Sequence, residues 1–199
     1  MKSKFIALLI AVCVFIGVIG FCIVKTSANG DDDIEVLEVQ GVRVKIKIDP
    51  KDKYSEWLNA GDDYASGIVY ASYEAEDANG EEVRGSVDVS GYASLNIDDL
   101  SVYVSAGSWV SVNNSPEGEA NAWVSLPGFA QVTHENGPGR IDIEGDDSIH
   151  AFDSHTYNLL DPEDLQKALG TLSAAAYLEV PEIDQTIQIK VEAWIDQGE

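Results

Sequence analysis

The sequence predicts a mainly β fold: a β-sandwich with one amphipathic α-helix, preceded by an N-terminal hydrophobic signal or anchor helix. Three observations predict it. Apolar and polar residues alternate in short runs, turn-forming residues separate those runs, and a single helical periodicity appears near the C-terminus. The first 28 residues differ from everything after them.

Lys2 and Lys4 precede an unbroken apolar run over 5–24, and Lys25-Thr26-Ser27-Ala28 follows it. A basic start, an apolar middle and small residues (Thr26, Ala28) before a cut at Asn29 match a secretory signal peptide. The run exceeds the usual roughly 7–15 residues of such a peptide. It is long enough to cross a bilayer core, so an uncleaved anchor fits as well. Residues 1–28 are therefore read as a signal peptide or signal anchor, and both readings place the rest of the chain outside the cytoplasmic membrane. Lipidation at Cys22 is a third reading, and the large Phe21 before it argues against that. Cys13 and Cys22 are the two cysteines of the chain. The exported part thus has no disulfide and relies on its core. Residues 29–33 read as a flexible acidic linker and 34–199 as a single domain.

Within that domain, 34–39 is a short strand candidate. Over 42–48, Val42, Val44, Ile46 and Ile48 alternate with Arg43, Lys45 and Lys47, the pattern of a half-buried strand. A short helical turn is expected over 55–60, ended by Gly61. Weaker strands follow at 68–73, 83–89, 102–106, 109–112, 122–126 and 140–143. Turn signals separate them: Asn79-Gly80, Ser115-Pro116-Glu117-Gly118, Pro127-Gly128, Asn136-Gly137-Pro138-Gly139 and Gly145-Asp146-Asp147. The helix begins with Asp161 as cap and Pro162 in the first turn. Leu165, Leu169, Leu172 and Ala176 then share one face, so the helix is expected to run to about residue 178 and stop before Pro181. A last alternating strand covers 187–195. Trp57, Trp109, Trp123 and Trp194, with many Val and Ile, are expected to supply the core.

The chain carries 12 basic and 35 acidic residues, a net charge of −23 at pH 7. That charge excludes nucleic acid and anionic lipid surfaces as partners, because both are polyanions. Acidity of this size serves solubility, binds divalent cations, or attracts a cationic partner. The basic residues Arg43, Lys45, Lys47, Lys51 and Lys53 cluster, and cross-strand pairing with acids is expected of them. Asp142 and Glu144 are the candidate partners. A docking stripe for an acidic neighbour is the alternative.

For Ca²⁺, the candidate ligands are Asp77, Asn79, Glu81, Asp142, Glu144 and Asp146. The spacing Asp77-x-Asn79-x-Glu81 offers alternating oxygen ligands, without the glycine and flanking helices of an EF-hand loop. A hairpin turn at Asn79-Gly80 accounts for the same residues. His150, Asp153 and His155 lie close in sequence and have metal-ligating chemistry. Ser154 adjoins His155, but no Gly-x-Ser-x-Gly elbow surrounds it. No catalytic and no cofactor-binding residue is nominated, and no phosphate-binding glycine loop or dinucleotide fingerprint occurs. Asn113-Asn114-Ser115 is a glycosylation sequon.

Together these readings lead to a non-enzymatic expectation: an exported cell-surface or extracellular structural or binding module. Self-assembly by β-strand addition is its concrete form, residues 34–39 joining a neighbour's sheet edge in a filament or surface layer. Its partners would be other protein subunits, copies of itself included, with membrane contact only through residues 5–24 if these are retained. The alternatives are an extracellular carboxylate-dependent hydrolase of polysaccharide and a membrane-tethered accessory subunit.

Overall fold

The computed structural model describes residues 24–27, 34–39, 42–48, 53–60, 64–134 and 139–195. The fold is mainly β, with 76% strand and one short helix. Its strands are β1 (Val24–Ser27), β2 (Ile34–Val39), β3 (Val42–Ile48), β4 (Lys53–Ala60), β5 (Tyr64–Glu76), β6 (Glu82–Asn96), β7 (Ser101–Ser125), β8 (Val132–Thr133), β9 (Ile141–Asn158), β10 (Gly170–Val180) and β11 (Gln185–Ile195). The helix α1 (Pro162–Ala168) lies between β9 and β10. Most of the expected signal or anchor helix and all of the acidic linker lie outside the described residues. Within 24–27, β1 pairs antiparallel with β2. Among the described residues no helix is long and apolar enough to cross a membrane.

All the strands join one antiparallel sheet, curled into a half-barrel, where the sequence predicts the two sheets of a sandwich. The curl originates in β7, a single strand of 25 residues. Its other flank is accompanied by β9 over nearly its whole length. Opposite β9, the first half of β7 (residues 101–113) pairs with β6. Residues 119–125 of the second half pair with β10 instead. Between the two halves the β7–β9 register shifts twice, at Val112/Ser115 and Ser115/Gly118. Two wings leave β7 at that point. One runs β6-β5-β4 and the other β10-β11-β3-β2-β1.

The wings face each other across the core. A Cβ on Gly91 of β6 would lie 2.9 Å from Leu172 Cδ2 of β10 and 3.2 Å from Val191 Cγ1 of β11. Ser108, buried on β7, donates a 2.6 Å hydrogen bond to the Ala175 carbonyl of β10. The side chains between the wings are mostly Val, Ala and Ile, among them Val69, Val87, Val89, Val104, Ala174, Ala176, Ile189 and Val191. Small and β-branched residues suit a thin layer between two strand surfaces. Each fully buried Val or Ile stabilises the fold by about 1.5–3 kcal/mol relative to exposure.

Several elements differ from the sequence reading. The helix starts as expected, with the Asp161 side chain accepting a 2.8 Å hydrogen bond from the Glu163 N–H and Pro162 in the first turn. It ends at Ala168, and residues 170–180 form β10 rather than continuing it. Alanine tolerates both periods here. Leu172, Ala174, Ala176, Leu178 and Val180 alternate inward, and strands on both flanks of β10 decide the outcome. The expected helical turn at 55–60 belongs to β4. Ser115-Pro116-Glu117-Gly118 and Gly145-Asp146-Asp147 are not turns; they lie inside β7 and β9 at the register shifts. A bulge uses the same residue types as a turn without ending the strand. Asn79-Gly80 and Pro127-Gly128 do turn, and Gly80 (φ 80°) and Gly128 (φ 73°) take the left-handed backbone conformation. Asn136-Gly137-Pro138 lies outside the described residues.

The basic strand β3 pairs with β11 and β2 rather than with Asp142 and Glu144. Lys45 lies 3.5 Å and Lys190 2.5 Å from the Glu192 carboxylate. Burial would raise the Glu192 carboxyl, but Lys190 and Lys45 outweigh it and hold it below the usual range. The charge matching foreseen for this strand is therefore local to its own wing.

Candidate binding face

The residues nominated for Ca²⁺ fall in two places. Asp77, Asn79 and Glu81 form the β5–β6 turn. Asp77 Oδ1 accepts the Asn79 and Glu81 N–H groups at 2.9 and 2.7 Å, and Oδ2 accepts Asn79 Nδ2 at 3.1 Å. These bonds, that from Glu81 foremost, hold Asp77 below the usual carboxylate range. The carboxylate thus closes its own turn. Asp142 and Glu144 are exposed on β9, either side of the buried Ile143. Asp146 sits at the bulge and accepts from Asn113 Nδ2 at 2.8 Å and the Asn114 N–H at 2.9 Å. Asn114 Nδ2 in turn donates to the Glu82 carbonyl at 3.0 Å, which brings Asp146 to the same end of the sheet as the β5–β6 turn. Among the described residues no group of three or more His, Cys, Asp or Glu is placed to hold a metal ion.

The strand period separates the other candidates. His150 and Ser154 lie on the outer face of β9, whereas Asp153 and His155 lie on the inner one. Ser154 and His155 therefore point to opposite faces. His155 packs inside against Phe129 and Tyr157, with ring centroids 4.5 and 4.7 Å away. Tyr157 is fully buried and donates a 2.5 Å hydrogen bond to the Pro127 carbonyl.

A different feature dominates the surface. The outer faces of β4, β5, β6, β7 and β9 form one continuous wall, and four adjacent rows of its register carry the aromatic rings. One row reads Trp57, Ile68, Ser90, Gly107, Phe152. Its neighbour reads Ser55, Tyr70, Asp88, Trp109, His150. On the other side come Asn59, Ser66, Tyr92, Ser105 and Ser154, then Tyr64, Ser94, Tyr103 and Thr156. At standard strand spacing and rise this wall measures roughly 20 Å each way.

Its chemistry contrasts with the rest of the chain. Trp57 is 59% exposed, Phe152 61% and Trp109 44%. Trp57 and Trp109, expected in the core, are thus on the surface, and Trp123 and Trp194, expected there too, are only half-buried. Trp109 stacks on His150 with centroids 5.1 Å apart and an interplanar angle of 20°. Tyr64, Tyr92 and Tyr103 step across three strands, their centroids 6.4 and 6.0 Å apart. Ser and Asn fill the positions between the rings. In a chain with 35 acids, Asp88 is the one carboxylate in these four rows, and burial raises its carboxyl above the usual range. Ile68 is the one aliphatic side chain.

The acids lie elsewhere. Glu119 of β7 faces both Asp142 and Glu179 across its two ladders, and Arg140 resolves this repulsion. Its guanidinium approaches Glu119 to 3.1 Å and Glu179 to 3.4 Å, and lies 3.7 Å from the centre of the Tyr177 ring. The Tyr177 hydroxyl bonds Glu179.

Sequence reasoning missed the aromatic wall because Trp57 falls in the expected helical turn at 55–60 and no strand is assigned between 143 and 161. The signal was the strand period itself. Applied through 148–158, it puts His150 and Phe152 on the face opposite Ile149 and Ala151. No family model, no curated protein and no solved structure matches the chain.

Proposed function

We propose that the chain is a non-enzymatic binding module of the cell surface or extracellular space, and that the outer wall of β4 to β7 and β9 is its working surface. The observation that carries this reading is the concentration of exposed aromatic rings on a wall almost free of charge, in a strongly acidic molecule. Exposed contiguous apolar area is uncommon on a free surface and marks binding sites. The exported location rests on the Lys2, Lys4 and 5–24 pattern. The opposed wings of the curled sheet serve as the two layers of the expected sandwich, the inner faces being core and this outer face remaining free.

Binding is favoured over hydrolysis by the single carboxylate on the wall, since glycoside hydrolysis uses two facing ones. Strand addition by residues 34–39 is disfavoured as the means of assembly, because those residues already pair with β3 and β1 in their own chain.

The test uses producing cells from which the gene has been deleted. Labelled full-length protein is added back and its attachment to the cell envelope or matrix is measured. Wild type is expected to attach, and a Trp57→Ser/Trp109→Ser/Phe152→Ser variant with an unchanged circular dichroism spectrum is expected not to. Equal attachment of the two would remove the wall from consideration. Recovery of the native protein solely from the cytoplasm would remove the location.

A further inference from the structure

We infer that the ligand of the aromatic wall is an uncharged polysaccharide, an inference that rests on the wall being the working surface. Pyranose rings offer two chemistries at once. Their C–H faces lie against aromatic rings, and their hydroxyls exchange hydrogen bonds with small polar groups. The wall offers the matching pair. Trp57, Tyr70, Trp109 and Phe152 are exposed, and serine hydroxyls with the Asp88 carboxylate lie between them. Tyr70 and Trp109 stand in one row two strands apart, about 10 Å. The strand register presents such groups along a line, which suits an extended chain better than a compact molecule.

Charge decides among the occupants. A net charge of −23 repels a polyanion such as a uronate polymer or nucleic acid. A cationic partner would find one carboxylate in the four rows, while the acids gather in the β5–β6 and β6–β7 turns, at the β7–β9 bulge and around α1. A second copy of the chain brings the same negative charge toward its twin. Protein docking surfaces are enriched in Met and Arg beside aromatic residues. Among these four rows there is no Met and no Arg, and the one aliphatic residue is Ile68. What remains is a neutral, hydroxyl-rich polymer.

The experiment sediments the full chain with insoluble cellulose, chitin and β-1,3-glucan, and runs it through gels containing a soluble neutral glucan, polygalacturonate or alginate. The expected result is retention by at least one neutral polymer and by neither polyanion. Retention should persist in about 0.5 M NaCl, where charge attraction is screened. Trp57→Ala and Trp109→Ala should each weaken it by about three- to tenfold, the scale of one aromatic stacking contact. Both positions are exposed, so thermal melts should match wild type, and Phe152→Ser provides a third variant if one does not fold. Failure of every neutral polymer to retain the protein would overturn the inference. So would retention by polyanions alone, tryptophan variants that bind like wild type, or a dimer in sedimentation velocity that Trp57→Ala abolishes. The two proposals fail separately. If the triple variant loses envelope attachment while no neutral glycan binds, the working surface stands and the ligand class falls.

Discussion

Two tyrosines tie the stability of this molecule to alkaline pH. Burial, with Asp153 and Asp164 nearby, pushes the Tyr157 hydroxyl from 10.0 up to about 12. Burial and the bond to Glu179 push Tyr177 to about 12 as well. In the unfolded chain each loses its proton near pH 10, while the folded chain holds it to about 12. Stability is therefore intact below pH 10 and falls as pH rises through that window. Melting temperature measured from pH 8 to 12 should drop from pH 10 upward, and Tyr157→Phe should flatten the drop. The same variant should cost about 1 kcal/mol at neutral pH, because the Pro127 carbonyl loses its donor. Asp88 has the same sign at the acid end of the scale. Its folded pKa is raised by burial from 3.8, so the ionised form weakens the fold above that range and not below it. Asp88→Asn should raise the melting temperature at pH 7, with the gain vanishing below about pH 4; an equal gain at pH 3 would assign it to something other than the charge.

At the level of elements, the bulged middle of β7 is the most constrained stretch. A Cβ on Gly118 would come within 2.5 Å of the Glu179 carbonyl oxygen of β10 and 3.1 Å of Val180 Cγ2. Backbone cannot rotate away as a side chain can. Gly118→Ala should destabilise by about 1–3 kcal/mol in urea unfolding, the usual cost of overpacking. At Gly85 the obstacle is the Tyr73 ring, at 2.3 Å. Gly85→Ala should cost less than Gly118→Ala if that ring can swing aside, and urea midpoints of the two variants compare them directly. Glycine at such points was visible in the sequence, but its reason was not. Ser115-Pro116-Glu117-Gly118 has the composition of a turn, and only the β9 ladder along both sides of it reveals a bulge. The strands at 42–48 and 187–195 were legible because one face is apolar and the other charged. The wall strands were less so, since Trp, Tyr and Phe on an outer face imitate core residues. Likewise Leu172 and Ala176 fit a helix stripe and a strand face equally well, and long-range pairing decided between them.

For the molecule as a whole, acidity and architecture divide the surface. The acids gather in the β5–β6 and β6–β7 turns, at the β7–β9 bulge and around α1, while the four aromatic rows of the wall carry Asp88 alone. Self-repulsion from −23 charges opposes folding, and its range shrinks as salt is added. Raising NaCl from about 0.01 to about 0.1 M shortens the screening length from about 30 to about 10 Å. The melting temperature should rise over this interval, since the exposed ion pairs lost to screening contribute little. A flat or falling response would mean that the acids are not in mutual repulsion. The near absence of acids from the aromatic rows was not legible in the sequence, where acids are spread along the chain. It depends on which strands lie side by side.

The ladder between β3 and β11 joins residues 42–48 to residues 187–193, across most of the length of the chain. A polypeptide made, or threaded through a membrane, from its N-terminus must carry the apolar side of β3 unsatisfied until its last strand emerges. The hairpins β5–β6, β6–β7 and β10–β11 close without that wait. The order of arrival thus makes the first strands of the domain the last to be sheltered, and a chain cut short before residue 185 leaves them open to proteases and to one another.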